Sequence, residues 1–146
     1  TKRCHYSVGI LNDSGTYEMT NSFGKNSTES TKDITSIIKN RGLVVVFEGM
    51  FDWLSYMTIF GDEDDANYLI LNSVSNKNRA LPILQKHSQV DLYLDTDFAG
   101  TLCTNTFMKE LNNVSDCRGL YSKYKDKDKY KFKDLNEYLV ALRRSK

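Results

Sequence analysis

Three short apolar runs constrain this chain more than any other feature: LVVVF at 43–47, YLIL at 68–71 and VDLYL at 90–94. Each is four or five residues long and rich in β-branched or aliphatic side chains. Such runs suit strands covered on both faces, as in a parallel sheet. Helical spacing fills the gaps. Phe51 to Phe60 carries apolar residues on one face and meets a stop at Gly61. Residues 78–87 carry Ala80, Leu81, Ile83, Leu84 and His87, with Pro82 tolerable in the first turn. Residues 99–112 repeat the pattern through Leu102, Phe107, Met108 and Leu111, and 134–144 through Leu135, Tyr138, Leu139 and Leu142. CRGLY at 117–121 reads as a fourth strand. Four alternations of strand and helix predict an α/β fold: a compact parallel sheet of about four strands, flanked by helices and joined by right-handed crossovers.

The residues before this core follow a different rule. His5 to Leu11 alternates weakly, Asn12-Asp13-Ser14-Gly15 is a turn cluster, and Thr16 to Thr20 reads as a returning strand. The expectation is an N-terminal β-hairpin with a polar loop over 21–32. The chain then divides into residues 1–41, hairpin and polar linker, and residues 42–146, the main unit. It opens at Thr1 in sequence that already looks globular, which suggests a piece of a longer protein.

Composition removes several classes. With 40% apolar residues the chain can bury a core, and a net charge of +1 excludes a globally basic nucleic-acid binder. The local balance is uneven. Leu43 to Asn76 contains no Lys or Arg but holds Glu48, Asp52, Asp62, Glu63, Asp64 and Asp65. Arg118 to Lys146 holds ten basic residues against four acids. An acidic centre beside a basic end is compatible with a metal site that also holds phosphates. Three cysteines, Cys4, Cys103 and Cys117, match no zinc spacing, and their odd number argues against a secreted disulfide framework. A reducing cytoplasm is the expected compartment. No apolar run approaches the roughly 20 residues that span a bilayer, so no membrane partner is expected.

In an open α/β sheet the ligand site lies beyond the carboxyl ends of the strands. The first run ends in Glu48-Gly49, and the third ends in Asp95-Thr96-Asp97, followed by Ala99-Gly100. If those strands are neighbours, three carboxylates meet. Hard oxygen donors of this kind suit Mg²⁺, with Mn²⁺ as an alternative, and such an ion assists phosphoryl transfer. Glu48 also serves as a candidate general base or acid. The competing reading is structural: an Asp at a strand end commonly caps the next helix, and Asp97 stands just before one.

VFEGMFDWLSY followed by LYLDTDFAGT resembles the Toprim domain, shared by bacterial-type primases, topoisomerases, some nucleases and recombination-repair proteins. The resemblance spans roughly residues 40–140. KDLNEYL at 133–139 is similar to the closing Lys-Asp-x-Asn motif of primases from plasmids and mobile elements. The resemblance implies Glu48 as the catalytic glutamate, Asp95 and Asp97 as the metal-binding pair, and Asp134 and Asn136 as parts of the closing motif that meets nucleotide or nucleic acid. It implies a DNA primase that makes short RNA primers from nucleoside triphosphates on single-stranded DNA, with a replicative helicase as a possible partner. A Toprim nuclease and a non-catalytic module that binds DNA or a replication protein are the alternatives. The Cys/His zinc module of such primases is not among these residues.

From Lys123 to Lys133 every second residue is lysine. An extended chain would put all six on one face, where they could follow a phosphate backbone; Lys129, Lys131 and Lys133 are the candidates nearest the closing motif. The competing reading is a solvated edge. Asp62 to Asp65 reads as a solvated loop, and Phe51, Trp53 and Tyr56 read as helix core.

Overall fold

The computed structural model describes residues 6–21, 23–27, 32–62, 65–122 and 132–145. In chain order the strands are β1 (Val8–Leu11), β2 (Tyr17–Asn21), β3 (Gly24–Ser27), β4 (Thr35–Ile37), β5 (Leu43–Phe47), β6 (Ala66–Ile70), β7 (Gln89–Tyr93) and β8 (Val114–Asp116). The helices are α1 (Met50–Phe60), α2 (Lys77–Leu84), α3 (Phe98–Glu110), α4 (Gly119–Ser122) and α5 (Leu135–Arg144).

LVVVF is the central strand of a five-stranded sheet with order β4-β6-β5-β7-β8. β5 pairs in parallel with both β6 and β7, and β7 pairs in parallel with β8. The run is uniformly apolar because both faces are covered. Val44 and Val46 pack with Leu69, Leu84, Leu92, Cys103 and Phe107 on one side. Val45 and Phe47 pack with Tyr56, Tyr68, Ile70, Tyr121 and Leu135 on the other. The second side is aromatic: Phe47 meets the Tyr56 ring edge-on at 5.2 Å, and Tyr93 stacks with Tyr121 at 6.5 Å. Pairs of this geometry add about 0.5–1.5 kcal/mol each beyond burial.

The predicted α/β class and parallel core are present, with three local differences. The fourth parallel strand is Val114–Asp116 rather than 117–121. Val114 is its one aliphatic residue, which left little signal, while Gly119–Ser122 turns into a helix that buries Tyr121. β4 adds an antiparallel edge to β6 and is only three residues long. β3 falls within the stretch expected as a polar loop; GKNS carries no strand propensity and is held by its pairing with β2.

The N-terminal strands form their own antiparallel sheet in order β1-β2-β3. Its tight turn is the expected one: Asn12 Oδ1 accepts from the backbone N–H of Ser14 and Thr16, and Gly15 takes φ +80°. The turn is fastened to the main sheet. Asp13 accepts from the N–H and hydroxyl of Ser36, and Thr35 donates to the Leu11 carbonyl at 3.1 Å. The small sheet therefore stands against the edge carrying β4. Among the described residues no helix is long and apolar enough to cross a membrane.

Candidate metal centre

The chain leaves β5 toward β6 on one side and later crosses to β7 on the other. β5 and β7 therefore flank the point where the strand order reverses, the usual ligand position in such sheets. Phe47 lies opposite Tyr93 in register. Glu48 follows Phe47 directly, and Asp95 follows Tyr93 by two residues, so both emerge at the same end. The Asp95 backbone N–H donates to Glu48 Oε2 at 3.2 Å.

Asp95 is nearly buried, with 7% of its surface exposed. Its loop is held from below. The buried Tyr121 hydroxyl donates to the Leu94 carbonyl at 2.7 Å. Arg118, fixed by Asp116, donates to the Asp95 carbonyl at 3.3 Å and to the Thr101 hydroxyl at 3.0 Å. Gly100 of α3 comes so close that an added Cβ would lie 2.3 Å from the Asp95 carbonyl oxygen. This contact explains the small residue after the aspartates: a side chain there would push α3 off the loop.

Asp97 does two things. Its Oδ1 accepts from the Gly100 N–H at 2.9 Å and caps α3, as the structural reading of the sequence expected. Its Oδ2 lies 3.5 Å from Lys133 Nζ, which is 2.9 Å from Asp95 Oδ2. Thr96, between the aspartates, points away from them: its N–H donates to the Lys133 carbonyl at 2.7 Å and its hydroxyl to the Phe132 carbonyl at 3.2 Å.

Asp134 caps α5 by accepting from the Glu137 N–H at 2.8 Å, and Glu137 accepts in return from the Lys133 N–H at 2.8 Å. These reciprocal bonds are a capping box shifted by one residue. Asn136 ties α5 to α1: its N–H donates to Asp52 Oδ1 at 3.3 Å, and its Oδ1 accepts from Ser55 Oγ at 3.2 Å. Lys129 and Lys131 lie outside the described residues, as do Glu63 and Asp64. Asp62 is paired with Lys39 and accepts from the Tyr68 hydroxyl.

Asp52 was not singled out by the sequence reasoning. It sits in the first turn of α1, four residues after Glu48, and is buried. Spacing i, i+4 across a strand-to-helix junction was the available signal. Burial, then the charges of Asp134 and Asp95, push its carboxyl up to about 7. Glu48 is also pushed up to about 7, chiefly by burial and then by the Asp95 carboxylate. Burial raises Asp95 as well, against the pull of Lys133.

These groups line a cleft of about 270 Å³ between the two sheets. Glu48, Asp52, Asp95 and Asp134 form one wall, and Glu18, Met19, Thr20, Lys25 and Lys32 from the N-terminal segment contribute to the other. Phe51, expected in the core, is exposed at the cleft rim, whereas Tyr56 is buried and Trp53 packs against the aromatic cluster. Among the described residues no group of three His, Cys, Asp or Glu side chains closes into a metal-ligand cluster. The donor set nevertheless fits a hard divalent cation. Every donor is a carboxylate oxygen, and burial, then the neighbouring carboxylates, raises two of the carboxyls, Glu48 and Asp52, to about 7.

A compact parallel sheet with Glu at one strand tip and Asp-x-Asp at its neighbour defines an α/β domain with an acidic cleft at the carboxyl ends of its strands. The chain belongs to the Toprim-like family, whose sequence pattern matches residues 45–139. Among solved structures it is similar to the primase fragment of the bacteriophage T7 primase-helicase protein, with a TM-score of 0.63 and 18% identity over 92% of this chain. It spans 57% of the length of that fragment. It is also similar, with a TM-score of 0.64 and 17% identity, to a structure of bacteriophage T7 lagging-strand DNA polymerase interacting with primase domains bound to an RNA/DNA hybrid and dTTP. There the match covers 94% of this chain and 72% of the other. These likenesses establish a shared fold. No curated protein matches the sequence.

Proposed function

We propose that this chain is the metal-dependent catalytic part of a DNA primase of the plasmid and mobile-element branch. It would join nucleoside triphosphates into short RNA primers on single-stranded DNA in the cytoplasm. The observation that carries this reading is the meeting of Glu48 with the Asp95 loop in a cleft whose opposite wall includes Lys25 and Lys32. Residues 42–146 would supply the carboxylates, and residues 1–41 would supply the basic wall.

Glu48, Asp95 and Asp97 would hold Mg²⁺ or Mn²⁺. Such an ion, when bound, neutralises phosphate charge and steadies the attacking and leaving oxygens of a displacement. The chain's own groups have separate tasks. Burial keeps the Glu48 carboxyl near 7, so it can take or release a proton near neutral pH. Lys25 and Lys32 would meet the phosphates of the triphosphate or template. Asp134 would cap α5 and Asn136 would tie it to α1, and Lys129 and Lys131 would contact the single strand. A replicative helicase is the partner this role calls for.

The test is primer synthesis by the full-length parent protein carrying Asp95→Asn or Asp97→Asn. Loss of primers in both variants is expected, and full synthesis in either would overturn the assignment. Divalent-dependent cutting of single-stranded DNA with no primer product would point instead to a nuclease. Binding of DNA with neither activity would point to a non-catalytic module.

A further inference from the structure

The three-residue loop Asp95-Thr96-Asp97 and the start of α5 are bound together by two kinds of bond. On the outside, Thr96 fixes the backbone of residues 132–133 through its N–H and its hydroxyl. On the inside, the Lys133 ammonium reaches back over the loop to Asp95 Oδ2 and Asp97 Oδ2. The Lys133 backbone is pinned twice, by its carbonyl to Thr96 and by its N–H to Glu137. Its ammonium stands at the end of a flexible four-carbon stem with half the side chain exposed. The ammonium thus lies where a cation shared by the two aspartates would sit.

We infer that Lys133 is a tethered counter-ion: it neutralises the Asp95–Asp97 pair until a divalent cation arrives, is displaced by that cation, and then offers its charge to the incoming phosphate. This rests on the reading of Glu48, Asp95 and Asp97 as a metal site. The physical basis is competition. Two carboxylates held close repel unless a cation offsets them, and an ammonium and a divalent ion cannot occupy the same point. Displacement is favoured because a divalent ion brings twice the ammonium's charge to the same carboxylates, while the half-exposed lysine regains water. Once released, a charge anchored at residue 133 remains within a side chain's length of the metal, where a triphosphate would carry its negative oxygens. The lysine thus belongs first to the aspartates and only afterwards to phosphate, unlike a lysine that simply tracks a strand.

The experiment titrates Mg²⁺ alone into the full chain after metal removal, using wild type, Lys133→Met and Lys133→Arg, with calorimetry and thermal melting as readouts. Lys133→Met is expected to bind Mg²⁺ about two- to fivefold more tightly than wild type, the fold-change matching loss of a weak competing ion pair. Its metal-free melting temperature is expected to fall, and Mg²⁺ to restore it. Lys133→Arg, which keeps the charge, is expected to stay near wild type. With Mg²⁺ loaded, Lys133→Met is expected to bind a nucleoside triphosphate several-fold more weakly. Unchanged or weaker Mg²⁺ binding by Lys133→Met, while wild type binds normally, overturns the counter-ion role alone. Absence of Mg²⁺ binding in wild type and both variants overturns the metal-site reading together with it. Unchanged triphosphate affinity removes the second half of the inference.

Discussion

The backbone N–H of Asp95 donates to the Glu48 carboxylate at 3.2 Å, joining residues that lie 47 positions apart. Parallel pairing of two adjacent strands produces the bond, because it brings their carboxyl ends to one rim. The bond fixes the Glu48 side chain beside the Asp95 loop. It also removes part of the cost of burying a carboxylate there.

Asp97 caps α3 and is proposed as a metal ligand, and two substitutions separate the cap from the proposed ligand. Asn is as good an N-cap as Asp, whereas Ala is poor. Asp97→Asn should leave stability within about 0.5 kcal/mol of wild type while weakening Mg²⁺ binding, and Asp97→Ala should in addition cost about 1 kcal/mol. Urea denaturation paired with Mg²⁺ calorimetry checks both. Equal Mg²⁺ affinity for Asp97→Asn and wild type would reduce Asp97 to a cap.

Gly100→Ala should be harmful although alanine favours helices by about 1 kcal/mol over glycine. The added methyl would stand 2.3 Å from the Asp95 carbonyl oxygen, and backbone cannot yield as a flexible side chain can. A net loss of about 1–3 kcal/mol is expected, as for other overpacked contacts, together with weaker Mg²⁺ binding. A more stable protein with normal metal affinity would show that α3 moves away without consequence.

Tyr121→Phe removes the one hydrogen bond from the buried Tyr121 hydroxyl to the Leu94 carbonyl, directly beneath the aspartate loop. Stability should fall by about 1–2 kcal/mol, within the range for losing a buried partner. Mg²⁺ affinity should fall with it because the Asp95 backbone loses its floor. Chemical denaturation and calorimetry on the same preparation distinguish the two effects.

Much of this was legible in the sequence, and the reason is burial. LVVVF, YLIL and VDLYL announced the parallel sheet because strands covered on both faces leave uninterrupted apolar runs. Glu48, Asp95 and Asp97 stood out because they end such runs. The missed elements lack that signal. β4 and β8 are three residues long, and β3 is polar, so pairing with neighbours rather than propensity makes them strands. Asp52 was hidden because an acid in the first turn of a helix is ordinary; only tertiary packing buries it. The partners of Lys133 were invisible because they come from a loop more than thirty residues earlier in the chain.

The raised carboxyls fix the pH dependence of the metal-free protein. Glu48 moves from 4.5 to about 7 and Asp52 from 3.8 to about 7 on folding. Across that window the folded chain holds more protons than the unfolded chain, so stability falls as pH rises. The contribution is fully present below the unfolded values and is lost by the time pH passes about 7. Urea midpoints measured in a chelator should therefore be higher near the acid end of the window than above it. Mg²⁺ should flatten or reverse the trend, since it favours the ionised carboxylates. A chelated protein that gains stability as pH rises from about 5 to about 7 would contradict these shifts.

The most direct test of the central claim, that Glu48 and the Asp95–Asp97 pair share one divalent cation, is Mn²⁺ binding followed by electron paramagnetic resonance in wild type, Glu48→Gln and Asp95→Asn. The account predicts that wild type takes up Mn²⁺, that Mg²⁺ competes for the same site, and that each substitution weakens uptake by at least about tenfold, the equivalent of about 1.4 kcal/mol. Uptake by Glu48→Gln and Asp95→Asn that matches wild type would contradict it.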